Sequence, residues 1–213
     1  MKPYKIREKW VFIPITGIVL FVMLYLVAAL YYPGGSNVNQ TYEGFDWINN
    51  YWCDLIATRA KNGEFNMARM IALLAMAFLF ASLAIFWYFL PRFFHEGRSN
   101  TLVIRYTGTI SMLILMFMSS RFHDSIIGIG VSLLSIPIVA TLKELHWNHL
   151  TGLYLLGLAC VILILLNIFI YWTTWWIVVL PLIQKVTLLL FLIWIILIGI
   201  RCRRIYRVKT PFG

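Results

Sequence analysis

Charged residues are what this chain has least of. Asp and Glu number 8, and Asp, Glu, Lys and Arg together make up only 12% of 213 residues. Soluble domains carry about 25%, so the shortage excludes a hydrated globular surface. Cysteine is nearly as scarce. Cys53, Cys160 and Cys202 are expected at three depths, and a bridge needs Cα atoms within ~7 Å, so no disulfide framework is expected. Cys53 is a candidate thiol nucleophile, but without an evident activating partner. The chain also lacks a glycine-rich phosphate loop, a paired-histidine zinc helix and a nucleophile elbow, which argues against the familiar soluble chemistries. Two-residue alternation is missing too, which excludes a membrane β-barrel. What fills the sequence is apolar: 62% of residues are hydrophobic. They gather in runs of about 20, the length that crosses a ~30 Å hydrocarbon core.

The fold class that follows is all-α, a polytopic membrane bundle forming one integral domain over 1–213. Six transmembrane helices are expected, at about 10–32, 66–90, 102–120, 125–142, 150–172 and 175–200. No internal repeat divides the chain. The first run has a basic flank, as a signal peptide does, but at about 20 residues it exceeds the ~7–15 of a signal core, so a retained span is expected.

Net charge is +10, and most of the excess lies at the two ends. Lys2, Lys5, Arg7 and Lys9 precede the first span; Arg201, Arg203, Arg204, Arg207 and Lys209 follow the last. Arg92, Arg98 and Lys143 fall in connections on the same side. The long first connection carries Arg59 and Lys61 against Glu43, Asp46, Asp54 and Glu64. The positive-inside rule then puts both termini in the cytoplasm and the first connection outside, in a multi-pass protein of the cell (inner) membrane. The expected partners are anionic membrane lipids, not nucleic acid; the oligomeric state stays open.

The first connection is the most informative segment. Tyr32-Pro33-Gly34-Gly35-Ser36 reads as a turn. From Phe45 to Arg59, apolar residues recur at three- and four-residue steps, which predicts a short interfacial helix with Ile48, Trp52 and Leu55 facing inward. Asp46, Asn50 and Asp54 follow one another at i, i+4 and i+8 on its other side. They form either a solvated face or the roof of a pocket.

Tyr32-Pro33-Gly34-Gly35, Gly44-Phe45, Asn50-Tyr51-Trp52-Cys53-Asp54-Leu55, Asn62-Gly63, Asn66 and the later Arg121-x-His123-Asp124 carry a resemblance. The chain resembles the membrane family catalogued as domain of unknown function 998. Members share a Tyr-Pro-Gly-Gly turn, an Asn-x-x-x-Asp-Leu element and a basic-His-Asp cluster; several have Ser and Gly where this chain has Cys53 and Ile56. The resemblance implies a six-helix membrane fold and a motif map. It implies no reaction.

Ionisable groups at membrane depth are costly and mark function. Lys185 is expected about ten residues, roughly 15 Å, into the sixth span, with Pro181 kinking the helix and exposing a carbonyl nearby. Such a lysine calls for an internal partner. Arg69 and Arg121, at the outer ends of the second and third spans, and His123 with Asp124 lie on the same side. The ligand-binding set is therefore Arg69, Arg121, Lys185 and Asn50, suited to a phosphate or carboxylate. Lipid anchoring of Arg69 and Arg121 is the plainer alternative. If chemistry occurs, the catalytic set is His123, Asp124 and Asp54. No metal or cofactor is assigned; a metal bound here would take Asp54, His123 and Asp124.

Ser119-x-x-x-His123 with His146-x-x-His149 is similar to membrane metallohydrolases such as alkaline ceramidases and adiponectin receptors. The second spacing is wrong, and the fourth span separates the two pairs by a membrane thickness, so one zinc does not join them. His146, His149 and His95 read as ordinary interfacial loop residues.

The leading functional reading is an outward-facing polar pocket binding an anionic lipid headgroup or similar amphiphile, with a lipid-modifying hydrolase as its catalytic form. The alternatives are a small-anion transporter or channel and a non-catalytic membrane assembly protein. Val186 to Ile200 has only Thr187 and Trp194 with any polarity, which counts against a through-pore.

Overall fold

The computed structural model describes residues 8–94, 99–119 and 122–209. Lys2, Lys5, Arg7, His95, Arg98 and the expected ligand residue Arg121 lie outside this set.

Each apolar run becomes a helix: α1 (Phe12–Leu30), α2 (Arg69–Phe89), α3 (Ser99–Leu115), α4 (His123–Trp147), α5 (Thr151–Thr173) and α6 (Leu180–Lys209). Among the described residues there is no strand, only the isolated bridges Gly34–Glu43 and Arg59–Phe65. Among the described residues, five segments are long and apolar enough to cross a membrane: Phe12–Leu30, Arg69–Phe93, His123–Trp147, Thr151–Thr173 and Ile177–Arg204. At 17 residues and about 25 Å, α3 does not join them.

The helices pack in chain order, and α6 returns to α1, closing a ring. Neighbours run antiparallel. Arg203, late in α6, stacks over the ring of Phe12 at the start of α1, 4.5 Å away. Asn100, opening α3, donates to Glu144 near the end of α4 at 2.8 Å. One end of the bundle therefore holds the start of α1 and the end of α6, and the other end carries the first connection. Small residues set the spacing, as packing inside lipid requires. A Cβ on Gly17 of α1 would fall 2.2 Å from Ser82 Oγ on α2, so the two helices meet almost backbone to backbone. Trp87, Trp194, Tyr25 and Phe21 fill the interior.

Two expectations are corrected. Phe45–Arg59 does not form an interfacial helix; only Trp52–Ile56 makes a 3-10 turn. Asp46 Oδ1 accepts the backbone N–H groups of Ile48 and Asn49 at 3.0 and 3.1 Å, an alternative that competes with helix continuation. The expected orientation holds for Leu55, 0% exposed, and for Trp52, which packs on the core, but fails at Ile48, which is 61% exposed while Asp46 is 7% exposed. The second correction concerns Lys185, which lies only five residues beyond the start of α6. Pro181 sits in the first turn, where no backbone N–H is needed, so it starts the helix instead of kinking it.

Candidate functional site

The first connection folds into a compact cap on one end of the bundle. Its turn needs glycine: Gly35 has φ +80°, and a Cβ there would lie 2.4 Å from the Asn62 nitrogen. Gly35 donates its N–H to the Tyr42 carbonyl at 2.7 Å, and Asn62 donates to the Gly34 carbonyl at 3.2 Å. The Tyr32 hydroxyl accepts the Lys61 N–H at 3.0 Å, which closes the base of the loop.

Asn50 is the centre of the cap, with 0% exposure. Its Oδ1 accepts the Asp46 N–H at 2.8 Å, and its Nδ2 donates to the Gly35 carbonyl at 2.9 Å and to Asp54 Oδ2 at 3.0 Å. Asp54 Oδ2 also accepts the Tyr51 N–H at 2.8 Å. Its Oδ1 meets Lys61 Nζ at 3.5 Å, the one ion pair between described residues. Asp46, Asn50 and Asp54 do share a side, as their spacing implies, but it is the buried side.

Three spans hold this cap. From α1, the Tyr25 hydroxyl donates to the Trp52 carbonyl at 3.3 Å. At the start of α2, Arg69 Nε donates to the Ile56 carbonyl at 3.2 Å. From α6, Lys185 Nζ donates to the Asn50 carbonyl and, at 3.2 Å, to the Pro181 carbonyl. The same ammonium lies 5.8 Å from the Phe45 ring centre, within cation–π range. The carbonyl beside Lys185 is thus Pro181's own, one turn back, and not one freed by a kink; the partner reached across 135 positions is the centre of the cap.

Electrostatics follow from these contacts. Burial opposes the charge of Asp46, but the donors of Asn49, Ile48 and Ser36 outweigh it and hold its carboxyl below the usual range. Burial first, then the charges of Asp54 and Asp124, push the Cys53 thiol up to about 12. Cys53 thus stays a thiol at neutral pH and is no nucleophile. Asp124, in the first turn of α4, is thus near enough to Cys53 to act on it.

Four of the expected residues meet at the cap. Asp54, Asn50, Lys185 and Arg69 come together, but Asn50 and Arg69 serve the cap itself. His123 is half-buried and its Nδ1 lies against the Met118 carbonyl. Asp124 is exposed in the first turn of α4, where the helix dipole favours an acid. Among the described residues no three His, Cys, Asp or Glu groups come together to hold a metal ion, so the ligand set Asp54, His123 and Asp124 is not gathered. His146 and His149 lie at the far end of α4 from His123, as the topology argument required.

One contributor was missed. Asn66, 1% exposed, donates Nδ2 to the carbonyls of Asp54, Leu55 and Ala57 at 3.0, 3.2 and 2.9 Å. Its Oδ1 accepts the Ala68 N–H at 3.1 Å. An Asn just ahead of an apolar run is a helix-start signal, and that signal was available. Glu144, near the end of α4 away from the cap, is fully buried against Asn100 and takes no part in this site. Comparison of the chain with protein families, curated proteins and solved structures gives no match.

Proposed function

We propose that the chain is an integral membrane protein of six spans, both termini cytoplasmic, whose capped outer end binds the anionic headgroup of a membrane lipid. Lys185 carries this reading. Its ammonium donates to two neutral carbonyls, and no carboxylate lies within ion-pair distance of it among the described residues. Asp46 and Asp54 are near enough to act on its charge, but their oxygens are already engaged by cap donors and Lys61. A half-buried cation so placed at the rim of an apolar bundle gains from an arriving phosphate. Arg121 belongs to the same proposal from sequence alone. Six spans are supported by the bonds Phe117 N–H to Ile114 and Met118 N–H to Leu115, which carry the α3 segment one turn further. The resemblance to the domain of unknown function 998 family is part of this reading and adds the same topology.

The binder is favoured over the hydrolase because the Asp54 carboxylate, one of the expected catalytic groups, is taken up inside the cap by Asn50, the Tyr51 N–H and Lys61. The test is hydrogen exchange of cap amides 45–69 in phosphatidylcholine nanodiscs with and without phosphatidylglycerol. Phosphatidylglycerol slows exchange in the wild type and in Lys185→Arg, and has no effect in Lys185→Met. Equal slowing in Lys185→Met, or none in the wild type, overturns the reading and leaves the assembly role.

A further inference from the structure

The end of the bundle opposite the cap holds a cleft of about 130 Å³. Its walls include Phe93 beyond the end of α2, Leu150 and Leu153 at the α4–α5 turn, and Ile198 on α6, with Asn148, Arg201 and Cys202 as the polar part of the lining. Most of the lining is hydrocarbon or aromatic, and its one cation is Arg201. Arg201 is exposed and has no carboxylate within ion-pair distance among the described residues. Arg203 and Arg204 follow on the same last turns of α6.

We propose that this cleft takes one acyl chain of an anionic phospholipid, with the phosphate on the Arg201 guanidinium. The size argues for part of a chain. An apolar cavity of about 150 Å³ accepts a benzene-sized guest, whereas whole drug-sized ligands need about 300 Å³ or more. Charge decides the headgroup, because a zwitterionic lipid brings the guanidinium no net partner and a soluble anion leaves the apolar walls in water. The position fits as well. Arg201 and Cys202 fall at the end of the α6 span, Ile177–Arg204, at the depth where a phosphate meets the first methylenes. Basic pockets between spans are a recognised place for acidic lipids. The capped end takes no part in this site, so the two proposals stand or fall separately.

The full chain carrying Lys185→Met, which leaves this end of the bundle untouched, is titrated with phosphatidylglycerol in detergent micelles, and bound lipid is counted by native mass spectrometry. One phosphatidylglycerol binds, Arg201→Gln, at an exposed position, weakens it about tenfold, and Arg201→Lys retains part of the affinity. Phosphatidylcholine binds about tenfold more weakly, and inorganic phosphate does not displace the lipid. Equal binding of phosphatidylcholine, displacement by inorganic phosphate alone, or unchanged affinity in Arg201→Gln each overturn the proposal.

Discussion

The first connection buries its polar residues, whereas α5 exposes its apolar ones. In the cap, Ser36 and Asn50 are 0% exposed and Asn66 is 1% exposed. In α5, Leu165 and Phe169 are 59% and 55% exposed, and only 17% of its span is buried against 56% for α2. The reason is where each finds its backbone partners. A helix in lipid satisfies every N–H and C=O internally, so α5 needs only length and hydrophobicity, and its outward side chains meet hydrocarbon. The cap has almost no regular structure, so Asp, Asn and Tyr side chains must stand in for the missing backbone partners. Specification is therefore concentrated in a few polar atoms in one region and spread thinly over many carbons in the other.

The largest expected effect is at the centre of the cap. Asn50→Asp keeps the shape and the acceptor for the Asp46 N–H, but it removes both Nδ2 donations. It also sets a second carboxylate where the amide now lies 3.0 Å from Asp54 Oδ2. Leaving buried acceptors without donors costs about 1–3 kcal/mol each, so a loss of roughly 3 kcal/mol is expected. Hydrogen exchange across 45–69 should rise sharply while the amides of α4 and α5 keep their protection. Unchanged exchange would mean that the cap does not depend on its central amide.

This contrast also explains what the sequence disclosed. Helices such as α2 and α5 were legible within a few residues because a run of apolar side chains long enough to span lipid has one solution. The cap was misread as a helix at Asp46, Asn50 and Asp54. Their spacing fits one, and it left their shared side as either a solvated face or the roof of a pocket. Local side-chain-to-backbone bonds from Asp46 won instead, and no periodicity records such bonds. Lys185 was legible as a group needing a partner, but its partner proved to be a main-chain carbonyl, and a carbonyl has no residue type to search for.

A smaller effect separates the regions by pH. The cap donors hold the Asp46 carboxyl below its ordinary range. A carboxylate whose folded pKa is depressed contributes stability that is complete above the unfolded value of about 3.9. That contribution is lost as pH falls from there through the folded value. Cap protection should therefore weaken in the wild type as pH drops below about 4. Asp46→Asn should start from lower protection at neutral pH and lose less on acidification. Exchange of α5 amides, which have no acid nearby in their span, should not follow this profile. A cap in Asp46→Asn that weakens with acid as steeply as the wild type would place the titration elsewhere.

The smallest effect is expected inside the lipid-facing region, at a side-chain pair that crosses from α5 to α6. Asn167 Nδ2 donates to Thr187 Oγ1 at 2.7 Å and to the Leu163 carbonyl at 2.8 Å, which on a residue count alone resembles the cap. Context changes the outcome. Interhelical hydrogen bonds between spans average only about 0.6 kcal/mol, because a helix separated in lipid finds other partners. Asn167 Oδ1 is buried without an acceptor bond, so the native side chain already carries an unmet polar atom. Asn167→Leu removes the weak bond and the orphaned oxygen together, and fills the seam with carbon. Thr187 keeps its own bond to the Ile183 carbonyl at 2.7 Å, so the substitution strands no donor. Unfolding in mixed micelles should shift by less than about 0.5 kcal/mol in either direction. A loss of about 2 kcal/mol or more would show that this pair is specified as tightly as Asn50, and the contrast between the two regions would fail at that point.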